Sequence, residues 1–121
     1  MAYTLLTVAL GGALGASLRA WIGLMLVRDG FPVAVLTVNV LGSFAMGVLF
    51  VVLSRHGLPQ WQPFLMTGVL GGFTTFSAFS LETLMLVERG AWGQAGAYVG
   101  LSVGLSVAAL AAGLWIARSF A

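Results

Sequence analysis

The chain has no cysteine, so a disulfide framework is excluded and cysteine usage says nothing about the redox compartment. Charge is nearly as scarce. Lys+Arg number 5 and Asp+Glu 3 in 121 residues, or 7% charged, where a soluble domain carries about 25%. So few formal charges cannot build a water-facing surface, and the solvent must mostly be lipid. The five basic residues are all arginines, set singly with no run or tail, which argues against nucleic acid as a partner. The one histidine, His56, stands alone in a polar loop. No Ser/His/Asp arrangement and no paired carboxylates are visible. Gly71-Gly72 is followed by Phe and Thr with no Lys, so it is not a phosphate-binding loop. These absences argue against an enzyme.

What remains is apolar: 60% of the residues are hydrophobic. Four helices of about 20 residues each would use roughly two thirds of the chain, leaving only short loops and no room for a soluble domain. Hydropathy predicts a single all-α membrane domain with spans over 3–27, 32–53, 61–87 and 91–117. The turn Arg28-Asp29-Gly30, the loop 54–60 and the turn Glu88-Arg89-Gly90 separate them. The first span lacks a basic leader and a small-residue cleavage site, so it reads as a permanent span. Trp61, Trp92 and Trp115 sit at span ends, where indole rings favour the headgroup level; Trp21 lies further inside.

Orientation is weakly encoded. Four spans put Arg55 and Arg118 on the side of the N-terminus and Arg28 and Arg89 on the other, with Arg19 near the end of the first span. The positive-inside rule needs an excess on one side. Two readings follow: one residue decides the orientation, or the chain inserts both ways and pairs as an antiparallel homodimer.

The third span carries the strongest local signal. Gly71-Gly72-Phe73-Thr74-Thr75-Phe76-Ser77 puts two glycines, two threonines and a serine in the middle of an apolar stretch. Each glycine costs up to about 1 kcal/mol in a helix, and the hydroxyls compete for backbone bonds. A broken third helix is expected. Non-helical backbone at membrane depth survives only where protein buries it or water wets it, and such breaks expose groups that bind ions; a glycine-allowed kink is the alternative. Phe73, Phe76 and Phe79 recur every three residues, so they should project in similar directions. They are either lipid-facing or core rings, or rings whose positive edges hold a small anion. In the second span Asn39, Ser43 and Gly47 share one face; the amide is interhelical glue or an anion donor. In the fourth span Gly96, Gly100 and Gly104 have the spacing of close helix contact, while Tyr98, Ser102 and Ser106 lie on nearly the opposite face. The expectation is that the glycine face packs and the other presents hydroxyls, unless these bond back to carbonyls four residues earlier. Gly11 and Gly15 form a similar packing pair in the first span. Arg19 and Glu82 are the two ionisable groups inside spans, where such groups are functional candidates or reach out to the interface.

The run from Gly71 through Ser77 to Ala78-Phe79-Ser80-Leu81-Glu82 resembles the signature of the Fluc family of fluoride channels, also called CrcB proteins. The likeness extends to Gly12-Ala13-Leu14-Gly15-Ala16-Ser17-Leu18-Arg19 and to Asn39-Val40-Leu41-Gly42-Ser43-Phe44, and covers essentially the whole chain. The resemblance implies a dual-topology antiparallel homodimer in the bacterial inner membrane, with two pores that let fluoride leave the cytoplasm passively. It implies Phe76 and Phe79 as ring-edge contacts to fluoride, Asn39 as its amide donor, and Ser77, Ser102, Ser106 and Tyr98 as pore hydroxyls. Arg19 would serve an electropositive vestibule, and Glu82 matches the acidic residue after the signature. Carbonyls of Gly71 and Thr74 from both subunits would hold a structural sodium ion (Na+). Val35 and Ala78 depart from the family pattern, which often has hydroxyl residues there. Beside this reading stand a small proton-coupled drug exporter, which needs a carboxylate deep in a span, and a structural subunit of a larger complex.

Overall fold

A computed structural model of the chain describes residues 1–27 and 30–120. Arg28 and Asp29 of the first predicted turn lie outside the described residues. Every described element is helical, as lipid requires of a spanning chain, because only a helix or a closed barrel satisfies all its backbone groups internally. The elements are α1 (Ala2–Met25), α2 (Val33–Arg55), a tight turn at Pro59–Trp61, a stretch Pro63–Leu70 wound with wide turns, α3 (Gly71–Phe73), α4 (Phe76–Glu88) and α5 (Trp92–Phe120). Four stretches are long and apolar enough to cross a membrane: Ala2–Met25, Val33–Arg55, Pro59–Glu88 and Trp92–Phe120. At 1.5 Å per residue even the shortest reaches about 35 Å, enough for a hydrocarbon core of about 30 Å. All four tryptophans are exposed, Trp21 included.

Two loops are closed by the same device. Gly57 and Gly90 take positive φ, and the N–H of the residue after each reaches back to a helix carbonyl: Leu58 to Leu53 and Ala91 to Leu86, both at 2.9 Å. This pairing satisfies carbonyls that a helix end leaves orphaned, and glycine adopts the required backbone without a Cβ penalty.

The spans pack as two close pairs, and small residues set both. α1 lies on the 63–73 arm of the third span. A Cβ at Gly11 would stand 2.5 Å from the Phe64 carbonyl oxygen, and one at Gly15 would run into the Val69 carbonyl. Gly72 presses back, with the Gly12 carbonyl 2.6 Å from where its own Cβ would be. The packing pair expected at Gly11 and Gly15 is therefore real. α2 lies along α5 with Gly47 against the Leu110 carbonyl and Gly113 against the Phe44 carbonyl. Between bilayer-spanning helices, close backbone approach of this kind replaces the hydrophobic drive of water.

The glycine face expected on the fourth span is otherwise. A Cβ at Gly96, Gly100 or Gly104 would meet nothing within 4 Å from the other described elements of this chain. The opposite stripe is the packed one: Tyr98 is 0% exposed and Ser102 6%. The large ring needs burial and finds it against Phe79 and Phe31, at centroid distances of 5.2 and 5.5 Å, whereas glycine has no side chain to bury. Spacing marks both stripes but not which one meets the rest of the chain.

Candidate functional site

Helical winding stops after Phe73. Thr74 (φ −90, ψ 158) and Thr75 (φ −151, ψ 118) are extended, and winding resumes at Phe76. The bonds around this step explain how it persists. The Thr74 N–H and its hydroxyl both go to the Leu70 carbonyl, at 3.0 Å each. A continuous helix would send the Thr75 N–H to the Gly71 carbonyl and the Ala78 N–H to the Thr74 carbonyl. Instead Thr75 N–H donates to Asn39 Oδ1 at 2.8 Å, and Asn39 Nδ2 donates to the Thr75 carbonyl at 3.0 Å. Ala78 N–H donates to Thr75 Oγ1 at 3.1 Å, an N-cap for α4. The Gly71 and Thr74 carbonyls thereby lose their helical donors.

This step opens onto a groove of about 380 Å³ between α2, α4 and α5. Asn39 and Ser43 line it from α2, Phe76 and Phe79 from α4, Ser102 and Ser106 from α5, and Thr74 and Thr75 from the step itself. Phe76 and Phe79 lie with centroids 5.3 Å apart. They differ in burial: Phe79 is 9% exposed and Phe76 76%. Phe73 does not join them, because the extended step swings it away. It packs instead where Gly42 leaves room, 3.3 Å from where a Cβ would stand.

Ser102 in the groove differs from the helical hydroxyls elsewhere. Ser17, Thr37, Ser80, Thr83 and Ser119 donate to carbonyls four residues back, at 2.6–3.0 Å. Ser102 does not: its Oγ is buried without a partner among the described residues. An orphaned buried hydroxyl costs about 1–3 kcal/mol, so its survival points to something outside the chain that completes it. Ser102→Ala is accordingly expected to stabilise the fold by about 1 kcal/mol, read as a higher thermal midpoint in detergent. A lower midpoint would mean that the hydroxyl has a partner within the chain.

Two residues assigned to the pore by resemblance lie off the groove lining. The Tyr98 hydroxyl donates to Glu82 Oε2 at 3.0 Å, and its ring packs behind Phe79. Ser77 is exposed beside the step, its Oγ 3.3 Å from Thr75 Oγ1. A second cavity, also about 380 Å³, holds Arg19, Val35, Ala78 and Glu82. Arg19 and Glu82 thus share one cavity although they sit on different spans. Arg19 Nε donates to the Gly72 carbonyl at 3.1 Å, where a cation suits the C-terminal end of a helical arm. Both departures from the family pattern, Val35 and Ala78, line this cavity and not the groove. Among the described residues no cluster of His, Cys, Asp or Glu could hold a metal ion. The residue that sequence reasoning missed is Thr75. Its signal was a threonine directly before a helix restart, the position that N-caps favour.

Comparison with known proteins agrees with the resemblance. The family described as "CrcB-like protein, Camphor Resistance (CrcB)" matches residues 6–114. A protein of a Ruegeria species named "Fluoride-specific ion channel FluC" is 60% identical over 122 residues, covering 98% of this chain and 97% of its own. Proteins of the same name from Roseobacter denitrificans and Paracoccus denitrificans are 60% and 50% identical, the first covering 95% of both chains and the second 98% of this one and 97% of its own. With the match running through the groove, the extended step and the second cavity alike, the chain belongs to the CrcB family.

Proposed function

We propose that the chain is a passive fluoride channel that exports the ion from the cytoplasm and so relieves fluoride toxicity. The observation that carries this is the groove chemistry: an amide, ring edges and hydroxyls, with Ser102 Oγ lacking an internal partner, converge where no cationic side chain of the described residues lines the groove. Fluoride is small and tightly hydrated, so a pore must replace its water with donors. Asn39 Nδ2 keeps one hydrogen beyond its bond to Thr75. Phe76 and Phe79 offer positive ring edges, and Ser102 and Ser106 offer O–H groups. None binds as a full charge would, which suits an ion that must also leave.

The second cavity is the vestibule of this pathway, with Arg19 drawing anions in. Tyr98 and Glu82 back the groove from behind Phe79 and do not themselves line it. Phe76, so exposed in the single chain, would be covered in an antiparallel homodimer with dual topology and two pores. The near balance of arginines between the two sides of the bilayer favours that arrangement. Localisation is to the bacterial inner membrane.

The Gly71 and Thr74 carbonyls, freed of helical donors, are the ligands expected for a structural sodium ion, since hard cations take oxygen ligands. Such an ion supplies fixed positive charge that offsets anion desolvation without entering the pore.

The test is ion efflux from liposomes holding the purified protein. Fast electrogenic fluoride flux that excludes chloride is expected. Equal passage of chloride, or flux driven only by a proton gradient, overturns the reading. Ser102→Ala should slow fluoride flux even as it stabilises the fold.

A further inference from the structure

We infer that Asn39 has a second role: it holds the third span open at Thr75 and keeps the Gly71 carbonyl free for a cation, so that one side chain couples the anion groove to the carbonyl site. The inference rests on the sodium reading above. It starts from a competition over one donor. The Thr75 N–H can satisfy either the Gly71 carbonyl, four residues back along the chain, or Asn39 Oδ1 on another span. It takes the latter, at 2.8 Å. The bond is paired with a second one, Asn39 Nδ2 to the Thr75 carbonyl at 3.0 Å. A side-chain amide therefore occupies both backbone groups of Thr75, much as a neighbouring strand would. In a low-dielectric setting an unpaired backbone group costs several kcal/mol. Without Asn39, the cheapest partner for the Thr75 N–H is the Gly71 carbonyl, and using it would rewind the step.

Thr75 does the same service one turn on. Its Oγ1 takes the Ala78 N–H at 3.1 Å, which leaves the Thr74 carbonyl without that donor. Both carbonyls are thus free for the same reason: a side-chain oxygen has taken the N–H each would have received. Asn39 and Thr75 are positioning residues for the carbonyl pair. Asn39 also lines the groove and keeps an amide hydrogen for it, so anion and cation sites share it.

The readout is the sodium concentration that half-maximally raises the thermal midpoint of the purified protein in detergent, with potassium replacing sodium at constant ionic strength. Wild type, Asn39→Leu, Thr75→Val and Thr75→Ser are compared. Asn39→Leu and Thr75→Val should each raise that concentration at least tenfold. Thr75→Ser keeps the capping oxygen and should return it to within about twofold of wild type; should Asn39→Leu not fold, Asn39→Ala takes its place in the same comparison. A wild-type sodium midpoint in the asparagine variant overturns the coupling through Asn39, and one in Thr75→Val overturns the part of Thr75, while the sodium reading stands. A wild-type protein whose stability ignores sodium overturns both, while fluoride flux from liposomes reports separately on the channel itself.

Discussion

Asn39→Asp is expected to lower fluoride flux about 10- to 100-fold while the protein still folds. The substitution conserves shape and keeps an oxygen that can accept from Thr75 N–H, the 2.8 Å bond that holds the extended step. It removes the amide N–H groups, of which one serves the Thr75 carbonyl and the other faces the groove. A hydrogen bond to a charged partner is worth about 1.5–3 kcal/mol, and each 1.4 kcal/mol is tenfold. A carboxylate there also repels an anion. Liposome efflux checks the flux, and size-exclusion chromatography checks the fold. Flux within twofold of wild type would remove Asn39 from the pore.

Gly15→Leu should have the largest effect on folding. Any Cβ at this position runs into the Val69 carbonyl and comes 2.8 Å from the Phe73 nitrogen. Overpacking a core with flexible neighbours costs about 1–3 kcal/mol. Here the obstacle is backbone of the very arm that ends at the extended step, so at least about 3 kcal/mol is expected, a large share of a typical stability of 5–15 kcal/mol. Little monodisperse protein should be recovered, and what is recovered should melt early. Gly23→Leu, on the same helix but with nothing among the described residues within 4 Å of a Cβ, should melt as wild type does. A normal midpoint for Gly15→Leu would mean that α1 and the 63–73 arm separate readily.

The relation between Glu82 and Tyr98 illustrates what helical spacing misses. Tyr98, Ser102 and Ser106 form one stripe by their four-residue spacing, and spacing invites one role for all three. Tertiary packing divides them. Tyr98 lies under Phe79 and donates to Glu82, whereas Ser102 and Ser106 line the groove. A helix face sixteen residues from Glu82 in sequence carries no record of that meeting.

Much about the chain was determined by its sequence alone. Charge scarcity made lipid the solvent, and lipid made the backbone helical, because a local physical demand acts on every residue in turn. Local chemistry likewise marked residues 71–77 as poor helix, and the match of those residues to a known signature pointed to the family. Tertiary structure decided what depends on partners distant in sequence. It decided that Gly11 and Gly15 of α1, not Gly96, Gly100 and Gly104 of α5, meet backbone, and that Phe73 leaves Phe76 and Phe79. It decided that Asn39 pairs with Thr75 across thirty-six residues. A freed carbonyl cannot be read from a sequence, because it depends on which acceptor wins a donor, and the winning acceptor here sits on another helix.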